Sequence, residues 1–127
     1  FIIKLSINAK QVWFTSDASD NYIAQNQTGT FYTPGTGPGV GSPTVYSNTS
    51  TDNSVVLSAD GWKLRTFTGL DLSASPFVNG FSVGGYSSAT FGLQGRIIAA
   101  LTYDKVLSVS EITQIYDYYD AIIDLDT

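Results

Sequence analysis

FGLQGRIIAALTYDKVLSVSEI, residues 91 to 112, is the stretch whose reading decides the fold. Its first half, over residues 94–103, reads as a strand following a glycine-bearing turn. Its second half changes period. Leu107-Ser108-Val109-Ser110-Glu111-Ile112 predicts a helix start: the Ser108 hydroxyl is placed to accept from the Glu111 N–H while the Glu111 carboxylate reaches back to the Ser108 N–H, and Leu107 and Ile112 form a hydrophobic staple. Behind that cap, Ile112, Ile115, Tyr116, Tyr119, Ile122 and Ile123 recur at helical spacing. One amphipathic helix is therefore expected to run to about Ile123 and lay this stripe on a β core. Tyr116 and Tyr119 are expected in the core and Tyr118 at the surface. Asp117, Asp120 and Asp124 fall in the C-terminal half, where the macrodipole disfavours anions by roughly some tenths of a kcal/mol each, so docking must stabilise this helix.

Upstream, the period is two. FIIKLSINAKQVWF alternates at Ile3, Leu5 and Ile7, breaks at Asn8-Ala9-Lys10-Gln11 and resumes at Val12 and Phe14, for which a hairpin is the simplest reading. Residues 16–21 form a polar loop, and residues 22–25 and 29–33 a strand pair around Asn26-Gln27-Thr28. Residues 34–43, PGTGPGVGSP, hold neither ladder nor helix, because Gly costs entropy and Pro lacks the donor. Neither flank has apolar residues enough for its own core, so this is an exposed loop of one domain spanning 1–127. Residues 44–46, 54–58, 62–68 and 80–84 complete a series of short strands with polar turns, which indicates an all-β sandwich.

Phe81-Ser82-Val83-Gly84-Gly85, residues 91–108 and Glu111-Ile112 together resemble the end of concanavalin A-like, laminin-G-like jelly-roll domains. There a (I/V)GG strand precedes F-x-G-x-I-A-E-(I/V)-x-(I/V)-Y-(D/N)-R-x-L-S-x-x-E-I, and a short helix closes the domain. The Gly95 position and the Leu-Ser-x-x-Glu cap carry the resemblance, while Ala100 stands where many relatives have Glu. Residues 62–73 are similar to the preceding strand, and residues 11–32 to the strands that display ligand in other members. The resemblance implies an all-β, concanavalin A-like jelly-roll sandwich of two antiparallel sheets with one C-terminal α-helix. A chain that opens on Phe1 and matches the closing part of such a domain is expected to be the C-terminal part of a longer protein.

The 127 residues include no His, Cys or Met. That removes an imidazole base, a Ser/His/Asp triad, a thiolate or imidazole zinc site and any disulfide framework. Six cations against eleven anions give a net charge of -5. Lys4, Lys10, Lys63, Arg65, Arg96 and Lys105 are scattered, without the clustered charge that releases counterions from a phosphate backbone, so no nucleic-acid partner is expected. No apolar run approaches the ~18 residues of a membrane span. Charged residues are 13 %, about half the usual share. The surface must be mostly Ser, Thr, Asn, Gln and Gly, a composition of extracellular or virion β-proteins.

Three functions follow from the resemblance. Glycoside hydrolysis needs two carboxyl groups across a cleft. Glu111 is the single Glu, its place in the cap occupies it, and the Glu-x-Asp-x-Glu strand signature of the family's hydrolases is absent. No catalysis is expected. Sugar binding in lectin-like members uses aromatic platforms with Asn, Asp and sometimes Ca²⁺. The candidates are Trp13, Tyr22, Tyr32 and Tyr46, with Asp17, Asp20 and Asn21, although a Trp inside a strand pattern, such as Trp13 or Trp62, is more often core. No cofactor is expected. Ca²⁺ is the ion the 16–21 loop would suit, but its acids lack the order of a dedicated calcium loop, and a plain turn is the commoner reading. Asn26-Gln27-Thr28 and Asn48-Thr49-Ser50 match the glycosylation sequon, which decides nothing in so Asn- and Thr-rich a chain. The third function is structural. The expected role is thus a non-enzymatic, virion-associated structural or adhesion module of a fibre, spike or capsid decoration, located on a virion or cell surface and recognising host glycans. The alternative is a carbohydrate-binding module of a secreted bacterial protein or enzyme. Expected partners are other copies, fibre modules being commonly homotrimers, or virion proteins.

Overall fold

A computed structural model describes residues 1–5, 11–16, 22–25, 31–32, 43–51, 61–71, 81–84 and 94–125. In chain order these contain β1 (Ile2–Leu5), β2 (Gln11–Ser16), β3 (Tyr22–Gln25), β4 (Phe31–Tyr32), β5 (Thr44–Ser47), β6 (Ser50–Thr51), β7 (Lys63–Thr68), β8 (Phe81–Val83), β9 (Gly95–Ala99) and α1 (Val109–Ile123). The molecule is mostly β with one C-terminal helix. A five-stranded antiparallel sheet has the order β6-β5-β7-β1-β9. The shorter strands β4-β3-β2-β8 pair antiparallel in a second set.

Two expectations are corrected by this topology. The opening alternation is no hairpin: β1 pairs with β7 and β9, whereas β2 pairs with β3 and β8. Period-two patterning says which residues share a face but not which strand lies alongside, and both partners of β1 come from far along the chain. The strand expected over 94–103 stops at Ala99. Ile2 is its last partner on β1, opposite Ala99, and Ala100–Tyr103 continue outside any ladder. The pairing of β3 with β4 follows the reading, as does β7, which begins at Lys63. The expected 54–58 strand lies outside the described residues.

Ile2 and Ile3 are both buried although they are adjacent, so both faces of β1 are covered. The ladder also shifts register here: Ile2 is opposite Ala99 and Ile3 opposite Ile97, which leaves Ile98 of β9 as a bulge residue, 45 % exposed. On one face Ile2 and Leu64 meet Ile112 and Leu125, with Tyr46, Trp62, Ala99, Leu107, Ile115, Tyr116, Tyr119 and Ile123 packed around them. By alternation the other face carries Ile3, Val45 and Arg65, each buried. Trp62, Tyr116 and Tyr119 are therefore core residues, as read. Ile122 departs from the expected stripe and is 61 % exposed; Leu125, beyond the helix, is the buried residue at that end.

The helix begins and ends as hydrogen-bonded units. Ser108 Oγ accepts from Glu111 N–H at 3.3 Å and Glu111 Oε2 accepts from Ser108 N–H at 2.9 Å. At the other end Asp124 takes a left-handed conformation, φ 56°, and donates to Asp120 C=O at 3.0 Å. Asp120 Oδ1 then accepts from Leu125 N–H at 2.8 Å. Burying Ile112 and Leu125 is worth roughly 1.5–3 kcal/mol each, more than the macrodipole penalty of the acids in that half. Docking wins.

Candidate functional site

Three of the four aromatic candidates fall on neighbouring strands. Trp13 lies in β2 where the register shifts between Val12 and Phe14, Tyr22 in β3 is the partner of Thr15, and Tyr32 in β4 is the partner of Ala24. Pairing of β2 with β3 and of β3 with β4 thus gathers them from separate parts of the chain into one sheet. Tyr46 is elsewhere. It belongs to β5 of the five-stranded sheet and is half-buried against the core beneath α1. Asp17, Asp20 and Asn21 lie outside the described residues; of the 16–21 loop weighed for Ca²⁺ only Ser16 is described, and it ends β2 opposite Phe81. Among the described residues no group of three or more His, Cys, Asp or Glu is placed to hold a metal ion.

The carboxylate chemistry is equally local. Glu111 bonds Ser108 through both its backbone N–H and hydroxyl, and it pairs with the Lys105 ammonium. The hydrogen bond from Lys105, followed by those from Ser108, holds the Glu111 carboxyl at about 2, well below its ordinary 4.5. The same hydrogen bond raises Lys105. A general acid needs the opposite displacement, a carboxyl kept protonated near neutrality. Arg65, read as one of six scattered cations, is 2 % exposed, which takes it out of any basic surface.

A cleft of about 490 Å³ opens beside the sheet. Its described lining is β7 from Leu64 to Thr68 with Gly69 and Leu70, then Phe1, Val83, the run from Ala100 to Leu107, and Ile115. Phe1 and Phe67 meet edge to face with centroids 6.3 Å apart. The walls are chiefly apolar, and Leu101, Tyr103 and Val106 are exposed at its rim. Size and character suit a binding cleft, yet it is remote in sequence from the aromatic candidates.

No protein-family model, curated protein or solved structure matches the chain. Among the described residues no helix is long and apolar enough to cross a membrane.

Sequence reasoning passed over three residues. Asn48, read only as part of a sequon, closes the turn between β5 and β6 at φ 53°. Its Oδ1 accepts from Leu64 N–H at 3.0 Å and its own N–H donates to Leu64 C=O at 2.8 Å. The turn signal was present in Asn48-Thr49; the distant partner was not. Asp120 is a C-terminal hydrogen-bond acceptor rather than only a misplaced anion. Lys105 is a helix-cap partner six residues ahead of Glu111, a spacing that no helical rule covers because Lys105 precedes the helix.

Proposed function

We propose that this chain is a non-enzymatic recognition module, a concanavalin A-like jelly-roll sandwich that serves a virion or cell-surface protein in adhesion and binds glycans through the sheet formed by β4, β3, β2 and β8. The observation that carries the reading is the placement of Trp13, Tyr22 and Tyr32 on three consecutive strands of that sheet. Pyranose rings stack on aromatic faces, and several such residues on one sheet give an extended saccharide successive contacts. The sandwich architecture draws support from the burial of Ile3, Val45 and Arg65 on the side away from α1, because a sheet covered on both faces needs a second layer. The engagement of Glu111 in the helix cap supports the non-enzymatic role.

A glycan array probed with the purified chain tests the reading. The expected result is binding of at least one glycan class, weakened tenfold or more, about 1.4 kcal/mol, by Trp13→Ala, Tyr22→Ala or Tyr32→Ala with the unfolding midpoint preserved. A blank array from a folded chain would leave the structural role alone. Loss of fold and binding together in all three variants would place those aromatics in the core.

A further inference from the structure

The ladders joining β2, β3, β4 and β8 sort their residues onto two faces, because residues opposite one another share a face and neighbours along a strand alternate. One face takes Phe14, Ile23, Phe31, Phe81 and Val83, with Gln11, Ser16 and Gln25 only at strand ends. The other takes Val12, Thr15, Tyr22, Ala24, Tyr32 and Ser82. Trp13 is the unpaired residue of a bulge, so register assigns it to neither. Tyr32 is opposite Ala24, and Tyr22 is two residues from Ala24 along β3. The two tyrosines are therefore diagonal neighbours on one face, about 7–8 Å apart along that diagonal, with a small residue beside them.

Charge is distributed as unevenly. Residues 11–62 and 66–95, which include all four strands, contain no Lys or Arg. Lys4, Lys63, Arg65, Arg96 and Lys105 belong to β1, β7, β9 and the segment leading into α1, while Lys10 stands alone just ahead of β2. Asp17 and Asp20 follow β2.

We propose that the face bearing Tyr22 and Tyr32 selects neutral saccharides: the two tyrosines receive successive pyranose rings of an uncharged glycan, and sialylated, uronic or sulfated glycans are excluded. This rests on the recognition role proposed above and names the class of its ligand. An antiparallel sheet with one apolar face turns that face to the core, and Val83 on it lines the cleft together with Phe67 of the five-stranded sheet. The tyrosine face is then the solvent side. Thr15 and Ser82 on it are hydroxyl residues, able to donate and accept as sugar hydroxyls do. A carboxylate or sulfate brought onto such a surface gives up water and needs a cation in return. Lys10 is the single cation close to these strands in sequence, Asp17 and Asp20 oppose it, and the net charge of -5 adds a long-range repulsion.

Two measurements on the whole chain test the proposal. The first concerns the faces and needs no glycan. Tyr22→Ala and Tyr32→Ala are expected to leave the melting midpoint within about two degrees of the parent, whereas Phe14→Ala and Phe31→Ala lower it severalfold more or prevent folding. Equal losses for Tyr32→Ala and its neighbour Phe31→Ala would overturn the face assignment and the proposal with it. The second compares neutral gluco-, manno- and galacto-oligosaccharides with sialylated, uronic and sulfated ones on the same array. Binding is expected among the neutral set alone, to change less than about twofold between low and high salt, and to weaken about tenfold in each folded tyrosine variant. Binding of acidic glycans in preference to neutral ones would overturn the proposal while the recognition role stood. A blank array from a folded chain would overturn the recognition role itself, and this inference with it.

Discussion

Asn48 stands in for a strand residue. Its side-chain amide supplies the acceptor that Leu64 N–H needs and its backbone supplies the donor for Leu64 C=O, while the left-handed turn conformation is one that Asn tolerates. Leu64 is 2 % exposed, so its N–H has no ready solvent substitute. Asn48→Ala is expected to destabilise the chain by about 2 kcal/mol, through an orphaned donor and a strained turn. Asn48→Asp, which keeps the acceptor, should lose less; urea unfolding of the two variants checks the order. Two ionisable groups make stability rise with pH, in separate windows. For Glu111 the folded chain holds the carboxyl near 2 against an ordinary 4.5. The unfolded state therefore binds more protons between those values, and the contribution is complete above 4.5 and lost as pH falls through about 2. Thermal melts from pH 5 to pH 2 should fall less steeply for Glu111→Gln. In a polypeptide whose amino group is at Phe1, the ordinary 8.0 drops to about 5. Here too the unfolded state holds the extra proton, and stability should climb from pH 5 to pH 8. An extension ahead of Phe1 should abolish that slope.

At the scale of the element, α1 is a balance of caps against charge. The capping box is local, exposed at Ser108, and Ser108→Ala should cost about 1 kcal/mol without affecting any ligand bound on the other sheet. At the C-terminal end the two acids differ in kind. Asp117 is exposed, and Asp117→Lys should stabilise by about 0.3 kcal/mol by turning an i,i+3 repulsion with Asp120 into an attraction, an effect that added salt erases. Asp120 holds Leu125 N–H, so Asp120→Ala should destabilise despite removing an unfavourable anion, while Asp120→Asn keeps an acceptor and should be nearly neutral. Chemical denaturation of the three variants decides whether charge or the hydrogen bond governs this end. The helix start was legible because a capping box and staple involve residues within five positions of one another. Leu125 was not legible, since its burial depends on where the chain turns after Asp124, and the stripe overran to Ile122 because spacing marks a face without fixing its width.

For the whole molecule, the two tyrosine populations offer the sharpest contrast. Tyr46 looked like Tyr22 and Tyr32 in sequence, a tyrosine in a short strand between polar turns. The sheet order separates them, placing Tyr46 over the core shared with α1. Tyr46→Ala is therefore expected to cost about 2–4 kcal/mol of stability and, under the proposed recognition role, to leave any glycan affinity of the folded fraction unchanged, whereas Tyr32→Ala should show the reverse; parallel melting and array measurements check both.

The sequence by itself determined the places of β5 and β7, the capped helix from Ser108 onward and the exclusion of imidazole and thiolate chemistry, because each rests on composition or on patterns within a few residues, and apolar spacing marked Trp62, Tyr116 and Tyr119 for the core. Only the tertiary structure decided that β1 lies between β7 and β9 rather than against β2, that β9 ends at Ala99, that Arg65 is buried, and that a cleft lies in line with Phe1. Period-two alternation is satisfied equally by any partner strand. The choice among partners is made by burial summed over residues distant in the chain, with Ile2 from β1, Leu64 from β7, and Ile112 and Leu125 from α1 and its end closing one core from three separate segments.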